Sequence, residues 1–224
     1  GEFYGSDKLV SGFSIDSRTM ANNDVFICIK GEKYDGHNFI HDILSSAACV
    51  VISRDINNID FSKKSYIKVN DTFQALQKMS EYVRSQSKAK FIAITGSNGK
   101  TTVKEMLAHI LSDYDITYTK GNFNNHIGVP LTLLSINKKD NFVILEVGSN
   151  KPGEIKPLSK LIKPDIAAVT NIGYAHIEGF KSLKNTAYEK YRIYESLKKD
   201  GVAVINNENK YSHVTENKNK IYFG

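Results

Sequence analysis

The residues best suited to chemistry form one glycine-containing loop, Thr95 to Thr102. An apolar, strand-like run enters the loop and an amphipathic helix pattern leaves it. Glycines let backbone amides turn toward a phosphate, and the first turn of a helix adds the positive end of its dipole. Lys100 is suited to reach β- and γ-phosphates, and the Thr101 hydroxyl to coordinate Mg²⁺. The residues predicted to hold the nucleotide are Gly96, Ser97, Asn98, Gly99, Lys100, Thr101 and Thr102.

This loop departs from the usual P-loop because Ile94 stands where the first glycine is expected. A chance Gly-Lys-Thr sequence in a loop is the alternative, but strand, loop and helix patterns agree with one another. The helix pattern has apolar residues at i, i+3, i+4, i+7 and i+8, which predicts one face packed on a sheet. These residues are Val103, Met106, Leu107, Ile110 and Leu111.

Two further polar residues follow apolar strand-like runs. Glu146 ends one run, at the edge where ligands of open α/β sheets gather, and a carboxylate there is costly unless it is paired or metal-bound. A nearby Lys or Arg is the alternative partner. His176 follows another run and a glycine, so it also belongs at this edge, although a lone His is often a structural hydrogen-bonding residue.

Lys190 lies inside an apolar stripe whose members are spaced 4, 3, 4 and 3 residues apart. One interpretation is a lysine that lays its stem along the stripe and keeps its ammonium in water. The other is a buried amine whose pKa is lowered, which favours the neutral form. The stripe consists of Leu183, Ala187, Lys190, Tyr194 and Leu197.

Strand and helix signals alternate along the whole chain. From residue 91 onward the strands are continuous apolar runs, which indicates a mostly parallel sheet covered on both faces. We predict an α/β protein with a small N-terminal α/β domain at residues 1–88 and a P-loop central domain at 89–224, joined by the polar segment 85–90. The chain ends without a closing helix, so we expect the central domain to be incomplete.

Composition excludes several classes of protein. With 41% hydrophobic and 24% charged residues the chain is typical of a globular protein. No apolar stretch approaches the roughly 20 residues that cross a bilayer, and no secretory signal is visible, so we expect no membrane insertion. The two cysteines, Cys28 and Cys49, fit small buried hydrophobes in a reducing compartment better than metal ligands.

The charge is basic but scattered. There are 30 basic and 24 acidic residues, a net charge of +6. Nucleic-acid binders gather basic residues into a patch, often with stacking aromatics, and no such patch is visible. We therefore expect no nucleic-acid partner, with a nucleic-acid-stimulated NTPase as a weaker alternative.

The loop at 95–102 resembles the ATP loop of the Mur ligases, cytoplasmic enzymes that build the peptide of bacterial peptidoglycan precursors. Their loop departs from the usual P-loop in the same way. Segment 121–130, Gly-Asn-Phe-Asn-Asn-His-Ile-Gly-Val-Pro, is most similar to the branch that adds D-alanyl-D-alanine. Three further segments resemble the family in the same order: Asp16 to Arg18 with Lys30 to His37, Glu146 to Ile155, and Asn171 to Phe180.

This resemblance implies an ATP-dependent peptide ligase that adds D-alanyl-D-alanine to UDP-N-acetylmuramoyl-tripeptide through an acyl phosphate, as a cytoplasmic monomer with ATP and Mg²⁺ as cofactors. It implies catalytic roles for Lys100, His176 and Lys190. It implies Mg²⁺ ligands at Thr101, Glu146, His176 and a carbamylated Lys190, although the family often has glycine where Tyr191 follows that lysine. The implied substrate contacts are Ser17, Arg18, Lys30 and His37 near the UDP-sugar, with Asn124 and Asn125.

Structural alternatives stay open at several of these positions. Asparagine-rich turns such as Asn124-Asn125 are common structural loops, and Arg18 or Lys30 can simply be solvated. The family also carries a C-terminal ligase domain that is not visible here, so we expect little or no turnover by this chain alone. The alternatives for function are the ligase that adds the third peptide residue and a non-catalytic nucleotide-binding or substrate-binding module.

Overall fold

The computed structural model describes residues 1–57, 64–174, 177–209, 211 and 219–224, with the side chains of 177 and 178 left undescribed. The chain divides into two compact units, residues 1–82 and 83–224. The predicted boundary after residue 88 lies six residues beyond the observed boundary after residue 82. Within the described residues, no helix is both long and apolar enough to cross a membrane.

In its described part, the first unit has one five-stranded sheet in the order β1-β5-β4-β3-β2. The antiparallel pair is β1 with β5, and the other pairings are parallel. Apolar residues on and beside β3, β4 and α1 form its core, which includes Cys28; Cys28 and Cys49 are both buried and free. The elements are β1 (Glu2–Tyr4), β2 (Phe13–Ser14), β3 (Val25–Ile27), a 3₁₀ helix (Gly36–Phe39), α1 (Ile40–Ile43), β4 (Cys49–Ile52), β5 (Ser65–Lys68) and α2 (Thr72–Gln86).

The predicted polar linker is shorter than expected, because α2 continues to Gln86 and the next strand begins at Lys90. Arg84, in the last turn of α2, gives the reason. Its buried guanidinium lies 3.5 Å from the ring centroid of Phe91 and donates to the carbonyls of Ile162 and Lys163. These contacts hold the end of the helix within the second unit.

The second unit, as far as it is described, contains a six-stranded, all-parallel sheet in the order β11-β10-β9-β6-β8-β7. The elements are β6 (Lys90–Thr95), α3 (Lys100–Ile110), β7 (Ile116–Tyr118), α4 (Gly128–Leu134), β8 (Phe142–Glu146), α5 (Ile155–Ile162), β9 (Ile166–Val169), α6 (Ile177–Phe180), α7 (Leu183–Tyr191), a 3₁₀ helix (Arg192–Ser196), β10 (Val202–Asn206) and β11 (Lys220–Phe223).

Alternate side chains of each central strand pack on opposite faces of this sheet. Phe91 and Ala93 of β6 face a core formed with α4, α5 and α7, whereas Ile92 and Ile94 face α3. Residues of a strand point alternately to the two faces, so continuous apolar runs bury both faces. The predicted α/β class with a parallel sheet covered on both sides is confirmed.

The predicted apolar face of α3 is only partly correct. Val103, Leu107 and Leu111 pack on the sheet, but Met106 and Ile110 are 58% and 66% exposed. The buried positions between them are Lys104 and Ala108. The helix is therefore rotated from the predicted orientation, and its buried stripe includes Lys104, whose ammonium donates to the backbone carbonyl of Thr119.

Candidate functional site

The glycine loop lies between the end of β6 and the start of α3, where two glycines adopt conformations that other residues rarely take. Gly96 has φ +149° and Gly99 has φ +78°. A Cβ at Gly96 would lie 2.0 Å from Oγ1 of Thr170, so the loop approaches the end of β9 too closely for any side chain. The predicted strand–loop–helix arrangement is therefore confirmed, with α3 beginning at Lys100.

Lys100 folds over its own loop. Its ammonium donates to the carbonyl oxygens of Gly96 at 2.8 Å and Ser97 at 3.2 Å. Burial lowers the pKa of Lys100, and the negative charge of Glu146 acts in the opposite direction. The cation and the acidic strand end therefore belong to one electrostatic site.

The segment that follows β9 braces the loop from the side. Asn171 accepts the backbone N–H of Asn98 at 2.8 Å through its side-chain oxygen, and the Thr170 hydroxyl donates to the carbonyl of Asn98 at 2.6 Å. The Ser97 hydroxyl donates to the carbonyl of Gly173 and accepts its N–H, at 3.1 and 2.9 Å. Sequence reasoning assigned no role to Thr170 or Asn171, although β9 neighbours β6 and brings their carboxyl ends together.

Glu146 is the last residue of β8, as predicted, and is only 2% exposed. Both carboxylate oxygens have neutral donors: Oε2 accepts from the Thr101 hydroxyl at 2.9 Å, and Oε1 from the Asn124 amide at 2.8 Å. No Lys or Arg forms an ion pair with it in the part of the chain that is described. The alternative of a direct cationic partner is therefore wrong for the described residues.

The two predicted asparagines have different neighbours. Asn124 reaches Glu146, and its carbonyl accepts the N–H of Gly148 at 2.8 Å, so it lies beside the acidic strand end. Asn125 is exposed, and its side-chain oxygen accepts the N–H groups of Ile127 and Gly128 at the start of α4. These amides have no partner within the helix, so Asn125 satisfies a helix terminus.

Lys190 is buried, with 2% of its surface exposed, which rules out the interpretation that its ammonium reaches water. Its ammonium donates to the Ser149 hydroxyl at 2.9 Å and lies 5.7 Å from the ring centroid of Phe180. Burial, and to a lesser extent the charge of Lys100, lower the pKa of Lys190 to about 8, against the opposing charges of Glu189 and Glu154. A pKa of about 8 makes roughly a tenth of this amine neutral at pH 7, far more than for an ordinary lysine.

Glu189, the residue before Lys190, is also buried and serves a different element. Its carboxylate accepts the N–H of Gly153 at 2.9 Å and that of Ile155 at 2.7 Å, where α5 begins. A carboxylate is well suited to this place, because the first N–H groups of a helix lack partners and carry the positive end of its dipole. Two consecutive residues of α7 thus contact the segment 149–155.

His176, predicted as a catalytic residue and metal ligand, lies outside the described residues. Gly173, three residues earlier in the sequence, is described, and its N–H donates to the Ser97 hydroxyl in the loop. The role of His176 stays a prediction.

The four residues predicted near the UDP-sugar belong to the first unit and differ in exposure. Arg18 is exposed and pairs with Asp16 through two hydrogen bonds of 2.9 and 2.7 Å, which lower the pKa of Asp16 to about 2. Lys30 is exposed and Ser17 is half-buried. The substrate contacts of Arg18, Lys30 and Ser17 stay predictions.

His37 is buried and uses both ring nitrogens inside the first unit. Nδ1 lies 2.6 Å from Asp35, and Nε2 accepts the backbone N–H of Ser53 at 3.0 Å. The acceptor role of Nε2 puts the proton on Nδ1, toward the Asp35 carboxylate. This imidazole therefore joins the 3₁₀ helix to the end of β4, and a direct contact with substrate stays a prediction.

The residues at the end of β8 fit a magnesium ion. Mg²⁺ prefers oxygen ligands and is commonly held by one or two carboxylates together with phosphate oxygens, rather than by an all-protein cage. The Thr101 hydroxyl and the Glu146 carboxylate supply such oxygens within 2.9 Å of each other. The described residues contain no group of three or more His, Cys, Asp or Glu side chains that could hold a metal.

A loop of this shape beside a buried acidic strand end defines a P-loop nucleotide-binding fold. The family model described as the Mur ligase middle domain matches residues 94–223, and the model described as Mur ligase family, catalytic domain, matches residues 9–114. The chain belongs to the Mur ligase family.

Its relatives include proteins named UDP-N-acetylmuramoyl-tripeptide--D-alanyl-D-alanine ligase. Those of Haemophilus influenzae, Buchnera aphidicola and Escherichia coli are 39%, 41% and 38% identical to this chain, over 90%, 92% and 93% of its length. The chain spans 45%, 45% and 46% of these relatives, which is about half of their length.

Solved structures of similar proteins have the same fold. MurF from Acinetobacter baumannii superposes with a TM-score of 0.83 at 34% identity, covering 95% of this chain and 48% of that one. The MurF ligase from Thermotoga maritima in complex with ADP gives a TM-score of 0.80 at 29% identity, covering 95% and 50%.

Proposed function

We propose that this chain supplies the substrate-binding and ATP-binding parts of a ligase that joins D-alanyl-D-alanine to UDP-N-acetylmuramoyl-tripeptide. The observation that carries the proposal is the contact between Thr101, at the start of the loop helix, and Glu146, at the end of the neighbouring buried strand. The relatives described above are a second line of support, because they are named for this reaction. The reaction would draw on the cytoplasmic ATP pool.

The proposed chemistry has two steps. A carboxylate oxygen of the tripeptide attacks the γ-phosphorus of ATP, and the bond from that phosphorus to the β–γ bridging oxygen breaks, which gives an acyl phosphate and ADP. The amine of D-alanyl-D-alanine then attacks the acyl carbon, loses a proton and expels inorganic phosphate, which leaves the amide. Phosphoryl transfer of this kind depends mostly on positioning and on neutralising charge.

Lys100 and the loop amides are suited to the phosphate end of this reaction. Lys100 is held at the loop by carbonyl oxygens and is a mobile point charge that can move to a phosphate oxygen. Thr170 and Asn171 keep the loop backbone in place through Asn98. These residues bind and orient the triphosphate without changing protonation state.

Thr101 and Glu146 would hold one Mg²⁺. When bound, this ion supplies positive charge against the triphosphate and the transferring phosphoryl group. Asn124 would keep the Glu146 carboxylate oriented through its 2.8 Å hydrogen bond. His176, by the family resemblance, is proposed to act at the same edge of the sheet.

Lys190 is proposed to become carbamylated and to offer an oxygen ligand to a second Mg²⁺. The neutral amine can add to CO₂ with loss of a proton, and the lowered pKa of Lys190 favours that neutral form. The Ser149 hydroxyl, 2.9 Å from the amine, is an available donor to the resulting carbamate. A labile mass increment in intact protein, absent from Lys190→Ala, would support this modification, and its absence in wild type would remove it.

The first unit is proposed to hold the UDP end of the substrate. Arg18 and Lys30 present exposed positive charge for a diphosphate, and Ser17 is a hydroxyl beside Arg18. His37 would support this surface indirectly, because its ring nitrogens are used by Asp35 and Ser53.

Thermal unfolding with separate ligands tests this proposal. A ligand at about 100 times its dissociation constant stabilises a fold by about 2.7 kcal/mol. We expect shifts with Mg²⁺-ATP and with UDP-N-acetylmuramoyl-tripeptide, and a smaller one with the UDP-muramoyl-dipeptide. A larger shift with the dipeptide form would favour the ligase that adds the third residue. A shift with ATP alone would reduce the proposal to a nucleotide-binding module.

A further inference from the structure

Lys104 is a second buried lysine, which the proposed chemistry does not use. It lies one helical turn after Thr101 on α3 and is fully buried, with 0% of its surface exposed. Its neighbours along the same face, Leu107, Ala108 and Leu111, are apolar. An apolar residue at this position would avoid the cost of removing an ammonium group from water, so the lysine calls for an explanation.

The ammonium of Lys104 has a specific backbone partner. It donates to the carbonyl oxygen of Thr119 at 2.9 Å, and it lies 2.7 Å from a carboxylate oxygen of Glu105. Thr119 follows the last residue of β7 and is fully buried as well. A buried carbonyl at a strand end needs a donor, and leaving it without one is costly.

Thr119 links this lysine to Glu146. Its N–H continues the pairing with β8 by donating to the carbonyl of Ile144 at 3.0 Å. Its hydroxyl oxygen accepts the backbone N–H of Glu146 at 3.0 Å. Thr119 therefore holds the backbone N–H of Glu146 through its hydroxyl, and its own carbonyl is held by Lys104.

The carboxylate of Glu146 is held by the same two segments. Thr101, three residues before Lys104 on α3, donates to one oxygen, and Asn124, five residues after Thr119, donates to the other. The segment 119–124 thus holds both the backbone N–H and the side chain of Glu146, and α3 holds its side chain. Lys104 fastens these two segments to each other.

We propose that Lys104 is a positioning residue for Glu146, acting through Thr119, and that it sets the strength with which the site binds Mg²⁺ together with a nucleotide. The part that concerns Mg²⁺ rests on the proposed function. The part that concerns the position of Glu146 stands on the contacts of the ligand-free protein.

A purely structural lysine is the competing explanation, and Arg84 offers a matched control. Arg84 is another buried cation of the second unit that donates to backbone carbonyls, those of Ile162 and Lys163. These carbonyls lie at the end of α5, by the start of β6, at the opposite edge of the sheet from Glu146. Removing either cation takes a donor away from backbone carbonyls, but only Lys104 leads, through Thr119, to Glu146.

The experiment compares Lys104→Met, Thr119→Val, the double variant and Arg84→Met. The dissociation constant of ATP is measured for each in excess Mg²⁺ and in EDTA, at a temperature where each variant is folded. We expect Lys104→Met and Thr119→Val each to reduce the gain in affinity from Mg²⁺ by about fivefold, and the double variant to lose no more than the larger single effect. Arg84→Met should melt earlier and keep the full gain.

Two results would overturn the proposal. One is a Lys104→Met variant that melts earlier, as Arg84→Met does, while its gain from Mg²⁺ stays at the wild-type value. The other is additive losses in the double variant, because residues on one path do not act independently.

A ligand-free measurement separates this proposal from the proposed function. Amide hydrogen exchange and the ¹⁵N–¹H shift of Glu146 report its bond to Thr119 without nucleotide. We expect faster exchange at Glu146 in Lys104→Met and in Thr119→Val, and unchanged exchange relative to global stability in Arg84→Met. If the ATP affinity of wild type does not increase with Mg²⁺, the proposed function fails, and the exchange at Glu146 alone decides the role of Lys104. Unchanged exchange in Lys104→Met would refute the positioning role.

Discussion

The Thr101 hydroxyl donates to Oε2 of Glu146 at 2.9 Å, so the first turn of α3 and the end of β8 meet at one carboxylate. The other oxygen of that carboxylate accepts from Asn124. Glu146 is 2% exposed, and the two hydrogen bonds supply part of what its carboxylate loses on leaving water. This contact joins the phosphate loop to the acidic strand end.

Glu146→Gln is expected to remove most of the gain in nucleotide affinity that Mg²⁺ provides, because the amide keeps the shape but loses the negative charge. A loss of about tenfold or more corresponds to about 1.4 kcal/mol. Affinity in EDTA should change much less. Titration calorimetry with ATP, with and without Mg²⁺, measures both constants. Glu195→Gln, a half-exposed residue paired with Lys156, is the control, and equal affinities of wild type and Glu146→Gln in Mg²⁺ would contradict the assignment.

Gly96→Ala is expected to abolish nucleotide binding and to destabilise the second unit. Its Cβ would lie 2.0 Å from Oγ1 of Thr170, and φ is +149°. Gly121→Ala separates the clash with Thr170 from the backbone strain. At Gly121 φ is +52°, but nothing lies within 4 Å of the added Cβ. That control should cost about 1 kcal/mol from backbone strain alone. Urea unfolding of both variants decides the matter, and equal losses would argue against the close contact with Thr170.

Lys190 is expected to make stability rise with pH in the alkaline range. Its pKa is about 8 in the folded chain and near 10.5 when unfolded, so between these values the unfolded state binds more protons. The free energy of unfolding should therefore increase from pH 8 to pH 10, by at most about 3 kcal/mol. Chemical unfolding in bicarbonate-free, Mg²⁺-free buffer measures this slope.

The matched variant for that slope is Lys190→Met, which removes the titrating amine and keeps the apolar stem. The free energy of unfolding of wild type should increase relative to that of the variant as pH rises. A difference that is constant from pH 7 to pH 10 would show that Lys190 titrates outside this range.

Asn125→Ala is expected to lower stability by about 1 kcal/mol, the usual cost of losing a helix cap. The Asn125 side-chain oxygen accepts the N–H groups of Ile127 and Gly128 at the start of α4. Asn125→Asp keeps an acceptor at this place and should retain most of the stability. Thermal unfolding of both variants tests the cap. A full-stability Asn125→Ala variant with weakened substrate binding would instead favour the substrate contact predicted from sequence.

The elements that position the site could be predicted from sequence, since they follow from simple patterns. The strand before the phosphate loop and the helix after it follow the predicted order, and Glu146 closes its strand as the apolar run indicates. The spacing that places Lys190 within an apolar stripe left two interpretations open, a solvated ammonium or a buried amine, and its 2% exposure decides for the buried one.

The errors arose where a polar residue finds a partner that is distant in sequence. Lys104 stands in a stripe with Ala108 and Leu111, the same signal that singled out Lys190, but apolar Met106 and Ile110 suggested another face. The carbonyl that accepts from Lys104 lies on another element, and local periodicity carries no information about it. The capping role of Asn125 is hidden for a different reason: its partners are local, but asparagine in a turn is equally typical of a ligand contact.

The paired contacts of Glu189 and Lys190 have a consequence for protein engineering. Glu189 satisfies the start of α5, and Lys190 meets Ser149 just before it, so α7 and the segment 149–155 are matched at two adjacent points. A chimaera that takes α7 from one relative and this segment from another would break both matches at once. The two segments should therefore be exchanged together, and the junctions of a chimaera between ligases should lie outside residues 149–191.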